Sequence, residues 1–317
     1  MESKWLEDFI SLVETRSFSK SAVLRNVTQP AFSRRIQSLE AWVGVDLIDR
    51  TVYPTRLTPA GEVFYEQALE MLAQVGKVRA LLRGQRLAAA GVVDIAVPHT
   101  LSLTFVPRWI TGLERSFGRL DCRLLAGNVH DAVLALVEGG CDLLICYHHP
   151  RQPVQLDPAR YDMLVLGTER LSPFARAGRD GEPVHRLPGE PGARVPFLAY
   201  SSNAYLGRMF ELLLATHGQP LHLDRRYETD MAEGLKMMAL EGHGVAFLPE
   251  SAVLRELRSR QLARAGDPAL MVEMDIRLYR ERPTAARPGK AVADRLWQHL
   301  TELPGAGAPR PSRPSRP

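Results

Sequence analysis

The 317 residues carry 40 Lys and Arg against 36 Asp and Glu, a net charge of +4, which is too small to single out nucleic acid as the partner. A hydrophobic share of 45% and a charged share of 24% fit folded globular domains, and the length calls for two or three of them. Three cysteines (Cys122, Cys141, Cys146) without C-x-x-C spacing argue against a disulfide framework or structural zinc, no apolar run nears the roughly 20 residues of a membrane span, and the first residues lack a signal-peptide pattern, so a cytoplasmic protein with no membrane partner is expected.

Residues 4–15 read as an amphipathic helix with Trp5, Leu6, Phe9, Leu12 and Val13 on one side. Residues 18–42 then read as two helices around a turn at Asn26-Val27. Ser19 is the expected N-cap of the first helix and Thr28 of the second, with Pro30 in the opening turn where its missing N–H costs little. In the second helix Phe32, Ile36 and Leu39 share one face by spacings of four and three, which leaves Gln29, Ser33, Arg34 and Gln37 on the other. Gln can pair with an adenine edge and Arg with guanine or phosphate, so the polar face suits a DNA groove, although the same residues also describe an ordinary solvated hairpin. Between Arg16 and Arg56 there are seven basic residues (Arg16, Lys20, Arg25, Arg34, Arg35, Arg50, Arg56) and three acidic ones (Glu40, Asp46, Asp49), an excess of four that phosphate neutralisation requires.

Gly44 to Leu57 reads as a two-stranded wing carrying Arg50 and Arg56. Thr58-Pro-Ala-Gly-Glu62 then opens a long helix, expected to reach about Ala90. Its apolar residues Val63, Phe64, Ala68, Leu69, Leu72, Val75, Val78 and Leu82 form a stripe too long for a small domain to cover, so a partner helix in a two-fold dimer is expected, with an internal core helix as the other reading.

These segments carry a resemblance. Phe18-Ser-Lys-Ser-Ala, Thr28-Gln-Pro-Ala-Phe-Ser-Arg-Arg-Ile, Leu39-Glu40, Gly44-Val-Asp-Leu47, Arg50 and Leu57-Thr-Pro-Ala-Gly61 stand in the order and spacing of the winged helix-turn-helix of the LysR-type transcriptional regulators, and the chain resembles that family over roughly residues 4–303. The resemblance implies a DNA-reading face of Thr28, Gln29, Pro30, Ser33 and Arg34, with Arg35, Arg50 and Arg56 on phosphates. It implies a linker helix that dimerises the protein, a homo-oligomer built as a dimer of dimers, and no catalytic activity, cofactor or metal. Tyr53-Pro54 departs from the basic wing tip that is more common in the family. Glu2-Ser-Lys-Trp-Leu6, the Thr28–Arg35 run and Ser202-Asn-Ala-Tyr-Leu-Gly-Arg208 look most like the hypochlorite-responsive branch.

From Gly91 the pattern alternates strand and helix. Strands are expected at 92–97, 121–125, 142–147, 163–167, 197–200, 221–226, 244–248 and 271–279. Helices are expected after Pro98 to Ser116, at 129–138, 206–215, 231–241 and 291–303. The fold class is therefore α/β with an all-α winged helix-turn-helix N-terminal domain and a two-lobed effector domain like a periplasmic binding protein. The expected layout is 1–61 for DNA binding, 62–90 for the linker, and 91–303 for the effector domain, with lobe I at 91–161 and 268–303 and lobe II at 162–267. Residues 304–317, rich in Pro, Gly, Ala, Arg and Ser, are expected to be a disordered tail.

A ligand of such a sheet sits past the carboxyl ends of its strands. The candidate effector residues are His99, Thr100, Leu101 and Ser102 after the first strand, Tyr147 with His148 after the third, Ser201, Ser202 and Asn203 after Tyr200 in the second lobe, and Met231. Hydroxyls beside helix N–H groups suit a small anion or carboxylate, while Ser102 and Ser201 also fit as simple helix caps. His99 and His148 lack the carboxylate or thiolate neighbours of a metal site, and no Gly-x-Ser-x-Gly elbow is present. If the signal is an oxidant, as the branch resemblance implies, Met231, Met209 and Cys141 are the candidate sulfur atoms, with Met237 and Met238 beside them. Leu113 and Leu206 stand where that branch is expected to carry methionine, which weakens a switch built on several methionines.

Overall fold

The computed structural model describes residues 2–51, 55–82, 91–201, 204–284 and 289–303. The chain divides into two compact units, Met1–Ala90 with Leu134–Gly140, and Gly91–Val133 with Cys141–Pro317.

The first unit begins with α1 (Ser3–Thr15), α2 (Phe18–Leu24) and α3 (Gln29–Val43). Arg16 ends α1 in the left-handed region at φ 51° and returns its N–H to Leu12 O; Asn26 at φ 53° makes the turn between α2 and α3. The N-cap of α2 is Ser17, which accepts from the Lys20 N–H at 3.4 Å, and not Ser19 as expected; the earlier start brings Phe18 into the helix, where it packs edge-on against Phe32. Thr28 precedes α3 in extended conformation, with no side-chain cap hydrogen bond. The wing pairs β1 (Ile48–Asp49) antiparallel with β2 (Arg56–Leu57). Phe32, Ile36 and Leu39 are fully buried, each contributing about 1.5–3 kcal/mol, and they fix which face of α3 meets solvent.

The long helix α4 (Pro59–Leu82) starts at Thr58, whose hydroxyl donates to Asp46 O and accepts from Gly61 N–H. The first turns of its apolar stripe follow the internal-core reading. Ala68 and Leu72 are buried, and Phe64, Tyr65 and Leu69 pack on the core of this unit, with Phe9 and Phe64 edge to face at 5.4 Å. The small domain thus covers the first turns of the stripe itself, because α1 supplies the missing apolar wall. Val63 and Val75 remain exposed. The expected end of this helix near Ala90 and the wing tip at Tyr53-Pro54 lie outside the described residues.

From Gly91 onward the chain forms β3 (Val93–Pro98), α5 (His99–Thr104), α6 (Val106–Phe117), β4 (Cys122–Gly127), then α7 (Val129–Val137) and β5 (Leu143–His148). It continues through β6 (Tyr161–Arg176), β7 (Val195–Tyr200), α8 (Tyr205–Thr216), β8 (Leu223–Thr229), α9 (Ala232–Leu240) and β9 (Val245–Pro249). A 3-10 turn (Glu250–Ala252), α10 (Leu254–Arg258), β10 (Leu262–Arg264), β11 (Val272–Glu281) and α11 (Ala291–Glu302) complete it. The sheet order is β4-β3-β5-β11-β6-β9-β7-β8, with β10 on β6. β4, β3 and β5 run parallel, as do β9, β7 and β8, and the antiparallel pair β11–β6 joins the two groups. Every residue of β3, β5 and β9 is buried, as strands covered on both faces demand. The strand expected at 163–167 runs on to Arg176, because its first part pairs with β11 and its last part with β9 and β10. Lys290 locks the start of α11 to the sheet by donating to Val92 O at 3.1 Å and to Asp94 and Asp142 at 2.7 Å. The residues expected to form a disordered tail lie outside those described.

Candidate nucleic-acid interface and effector site

In the first unit Thr28, at the N-cap of α3, and Gln29, Pro30, Arg34 and Gln37 on α3 are exposed, and Ser33 is half-buried among them. A helix pinned from behind by three buried apolar residues presents these polar groups as one rigid surface. Arg56 is exposed on β2. The other two expected phosphate ligands are engaged elsewhere. Arg35 donates to Asp8 at 3.1 Å, and Asp8 is fully buried and also holds Arg25 at 2.7 Å. Arg50 is paired with Glu40, which is itself buried and accepts the N–H groups of Leu47 at 2.9 Å and Ile48 at 3.1 Å. A buried carboxylate needs such partners, and Asp8 and Glu40 find them in two arginines that the family resemblance places on DNA. Glu40 carries a readable signal: it sits four residues after Ile36 on the buried face of α3, where a carboxylate must be matched. Gly61 stands in the motif string, and its physical role is close approach, since a Cβ there would stand 2.0 Å from Leu47 O.

In the second unit, α5 packs on the 3-10 turn Glu250–Ala252, next to the strand ends expected to hold a ligand. Tyr147, at 1% exposure, stacks on Tyr205 with ring centroids 6.1 Å apart. Among the described residues, the hydroxyls of Tyr147 and Tyr200 and the Nδ1 of His148 are buried without a hydrogen-bond partner. A buried polar atom left unpaired costs about 1–3 kcal/mol, and these three lie at the ends of β5 and β7. Burial holds both phenols far above the usual tyrosine range, and Glu169 adds to the effect at Tyr147, so both hydroxyls stay protonated and can donate. Glu169 is buried and raised by desolvation, and its charge is met by Ser251 Oγ, Ser251 N at 3.3 Å and Arg170 N at 3.0 Å. Burial, followed by the charge of Arg277, lowers His148 to about 4, leaving a neutral ring.

The remaining expected effector residues divide. His99 is exposed and Thr100 half-buried. Leu101 is fully buried in the core, and the half-buried Ser102, inside α5 and so not its N-cap, donates its hydroxyl proton to His99 O at 2.6 Å. Ser201 is half-buried at the end of β7, where a Cβ on Gly207 would stand 2.6 Å from its carbonyl; Ser202 and Asn203 lie outside the described residues. Glu169 and Gly207 are absent from the expected set, whereas Tyr200 is expected there from its position at the end of a buried strand.

The sulfur atoms also divide. Cys141 is half-buried and Cys146 buried, and desolvation holds both thiols above the usual range. Met209 is fully buried, whereas Met231 at the N-cap of α9 is 46% exposed and Met237 52%. Met238 packs on the core. Among the described residues no group of three or more His, Cys, Asp and Glu could hold a metal ion, and no helix is long and apolar enough to cross a membrane.

Comparison with known proteins gives two family matches, "Bacterial regulatory helix-turn-helix protein, lysR family" over residues 3–62 and "LysR substrate binding domain" over residues 88–304. The chain is similar to the HTH-type transcriptional regulator YjiE of Escherichia coli K12, at 36% identity over 96% of this chain and 95% of the relative. Among solved structures it is similar to Vibrio fischeri DarR in complex with DNA, with a TM-score of 0.58, 30% identity, and coverage of 96% of this chain and 99% of that one. It is also similar to full-length HypT of Salmonella typhimurium, described as a hypochlorite-specific LysR-type transcriptional regulator, with a TM-score of 0.56, 34% identity, and coverage of 95% and 97%.

Proposed function

Since the chain belongs to the LysR-type transcriptional regulators, we propose that it reads operator DNA through Thr28, Gln29, Pro30, Ser33 and Arg34 on α3, with Arg56 of the wing on phosphate. The observation that carries this reading is the exposed polar face of a helix whose opposite face is fully buried. Arg34→Ala is expected to weaken binding to a selected duplex by about 1–3 kcal/mol, measured by fluorescence anisotropy. An unchanged affinity removes Arg34 from the reading face. The protein works as a homo-oligomer, with the exposed residues Val63 and Val75 of α4 offered to a second copy.

The signal is a small organic carboxylate bound by the second unit, where the Tyr147 and Tyr200 hydroxyls donate to its oxygens near Ser201. A thermal-shift screen of small organic acids tests this: stabilisation that is lost in Tyr147→Phe supports it, and stabilisation retained in that variant contradicts it. A second reading, an oxidant signal, is favoured by the exposure of Met231 and Met237 and by the likeness to HypT. Peptide mass spectrometry after sub-stoichiometric hypochlorite decides it. Selective sulfoxide at Met231 with altered DNA affinity supports that reading, and scattered oxidation without a change in affinity counts against it.

A further inference from the structure

We infer that Glu40 is a positioning residue for DNA binding: its buried carboxylate fixes the start of the wing and keeps Arg50 off the phosphate backbone. The inference rests on the DNA-binding reading above. One oxygen of Glu40 accepts both the Leu47 and the Ile48 N–H, and the other takes the Arg50 guanidinium. Ile48 is the β1 residue that pairs with Leu57, and the next pair is Asp49 with Arg56. The carboxylate on α3 therefore sets the height and register at which Arg56 is presented. Arg50 is held on its other side by Phe18, whose ring centroid lies 6.0 Å from the guanidinium carbon, and Phe18 in turn meets Phe32 of α3 at 6.1 Å. Arg50 thus braces α2, α3 and the wing. Its charge is already neutralised by a carboxylate that is only 6% exposed, so docking onto DNA releases no counterion on its account.

This separates two kinds of arginine that sequence alone treats alike. An arginine on a phosphate changes the slope of log affinity against log salt by about 0.9, whereas a brace changes affinity by a similar factor at every salt concentration. The experiment is a salt titration of anisotropy with a duplex that the wild-type protein selects from random-sequence DNA. Arg50→Gln is expected to weaken binding on the order of tenfold at all salt concentrations, as for a lost charge-assisted hydrogen bond, with the slope unchanged. Arg56→Gln is expected to lower the slope by about 0.9. Glu40→Gln keeps an oxygen that accepts both N–H groups but turns an NH2 donor toward Arg50, so the ion pair and its hydrogen bond are lost together. It is expected to weaken binding without a shallower slope, and the Glu40→Gln/Arg50→Gln pair to bind no worse than the weaker single variant, because the two act as one unit. Circular dichroism establishes that each variant is folded, and where Arg50→Gln does not fold, Glu40→Gln carries the test. A slope reduced by about 0.9 in Arg50→Gln, or additive losses in the pair, overturns the inference while leaving the DNA-binding reading intact. A wild-type protein that selects no duplex overturns both.

Discussion

The junction of α3 with the wing and the strand ends of the second unit treat buried polar groups in opposite ways. At the junction Glu40 is buried and matched by two backbone N–H groups and Arg50, and on α1 the buried Asp8 is likewise matched by Arg25 and Arg35. At the strand ends Tyr147, Tyr200 and His148 bury a hydroxyl or ring nitrogen with nothing to meet it. A surface that reads a fixed target such as a groove profits from internal partners that lock its geometry. A site that responds to a signal profits from groups whose partner arrives from outside. The division is not complete, since Ser11 in the first unit is also unpaired and Glu169 in the second is well matched.

The largest expected disturbance of this contrast is Gly61→Ala. The new Cβ would overlap Leu47 O, in the same segment that Glu40 holds, and either α4 or the wing must move. A loss of about 3 kcal/mol in urea unfolding is expected, together with loss of DNA binding. A variant of wild-type stability would mean that the approach of α4 to the wing is loose. Next in size is Tyr147→Phe, which should reduce the affinity of any stabilising organic acid by about tenfold in a thermal-shift titration. The smallest effect concerns pH. His148 has a folded pKa of about 4, below its ordinary value, so the unfolded chain binds more protons between pH 6.5 and 4 and stability falls as pH drops through that window. His148→Gln is expected to flatten this decline, read as melting temperature against pH. Equal slopes in the two proteins would show that the ring reaches solvent in the folded state.

Periodicity makes α3 legible, because three buried apolar residues at spacings of four and three leave only one polar face to present. The alternation after Gly91 likewise reveals the strands of the second unit, since buried parallel strands must be near-continuous in apolar residues, as β3 and β5 are. Long-range pairing is not legible. Nothing near Arg35 in sequence announces that Asp8, on another helix, will claim it, and nothing near Arg50 points ten residues back to Glu40. Ser102 illustrates the same limit on a short scale: its position suits a ligand or a cap, and a carbonyl three residues earlier takes its hydroxyl.

The most direct test of the contrast needs neither DNA nor effector. Unfolding free energies of wild type, Tyr147→Phe and Glu40→Gln are measured side by side in urea. Removing an unpaired hydroxyl should leave stability unchanged or raise it, and removing the charge of a matched buried carboxylate should lower it by about 1–3 kcal/mol. A clear loss in Tyr147→Phe, or none in Glu40→Gln, would contradict the proposal that one region is built for fixed reading and the other for sensing.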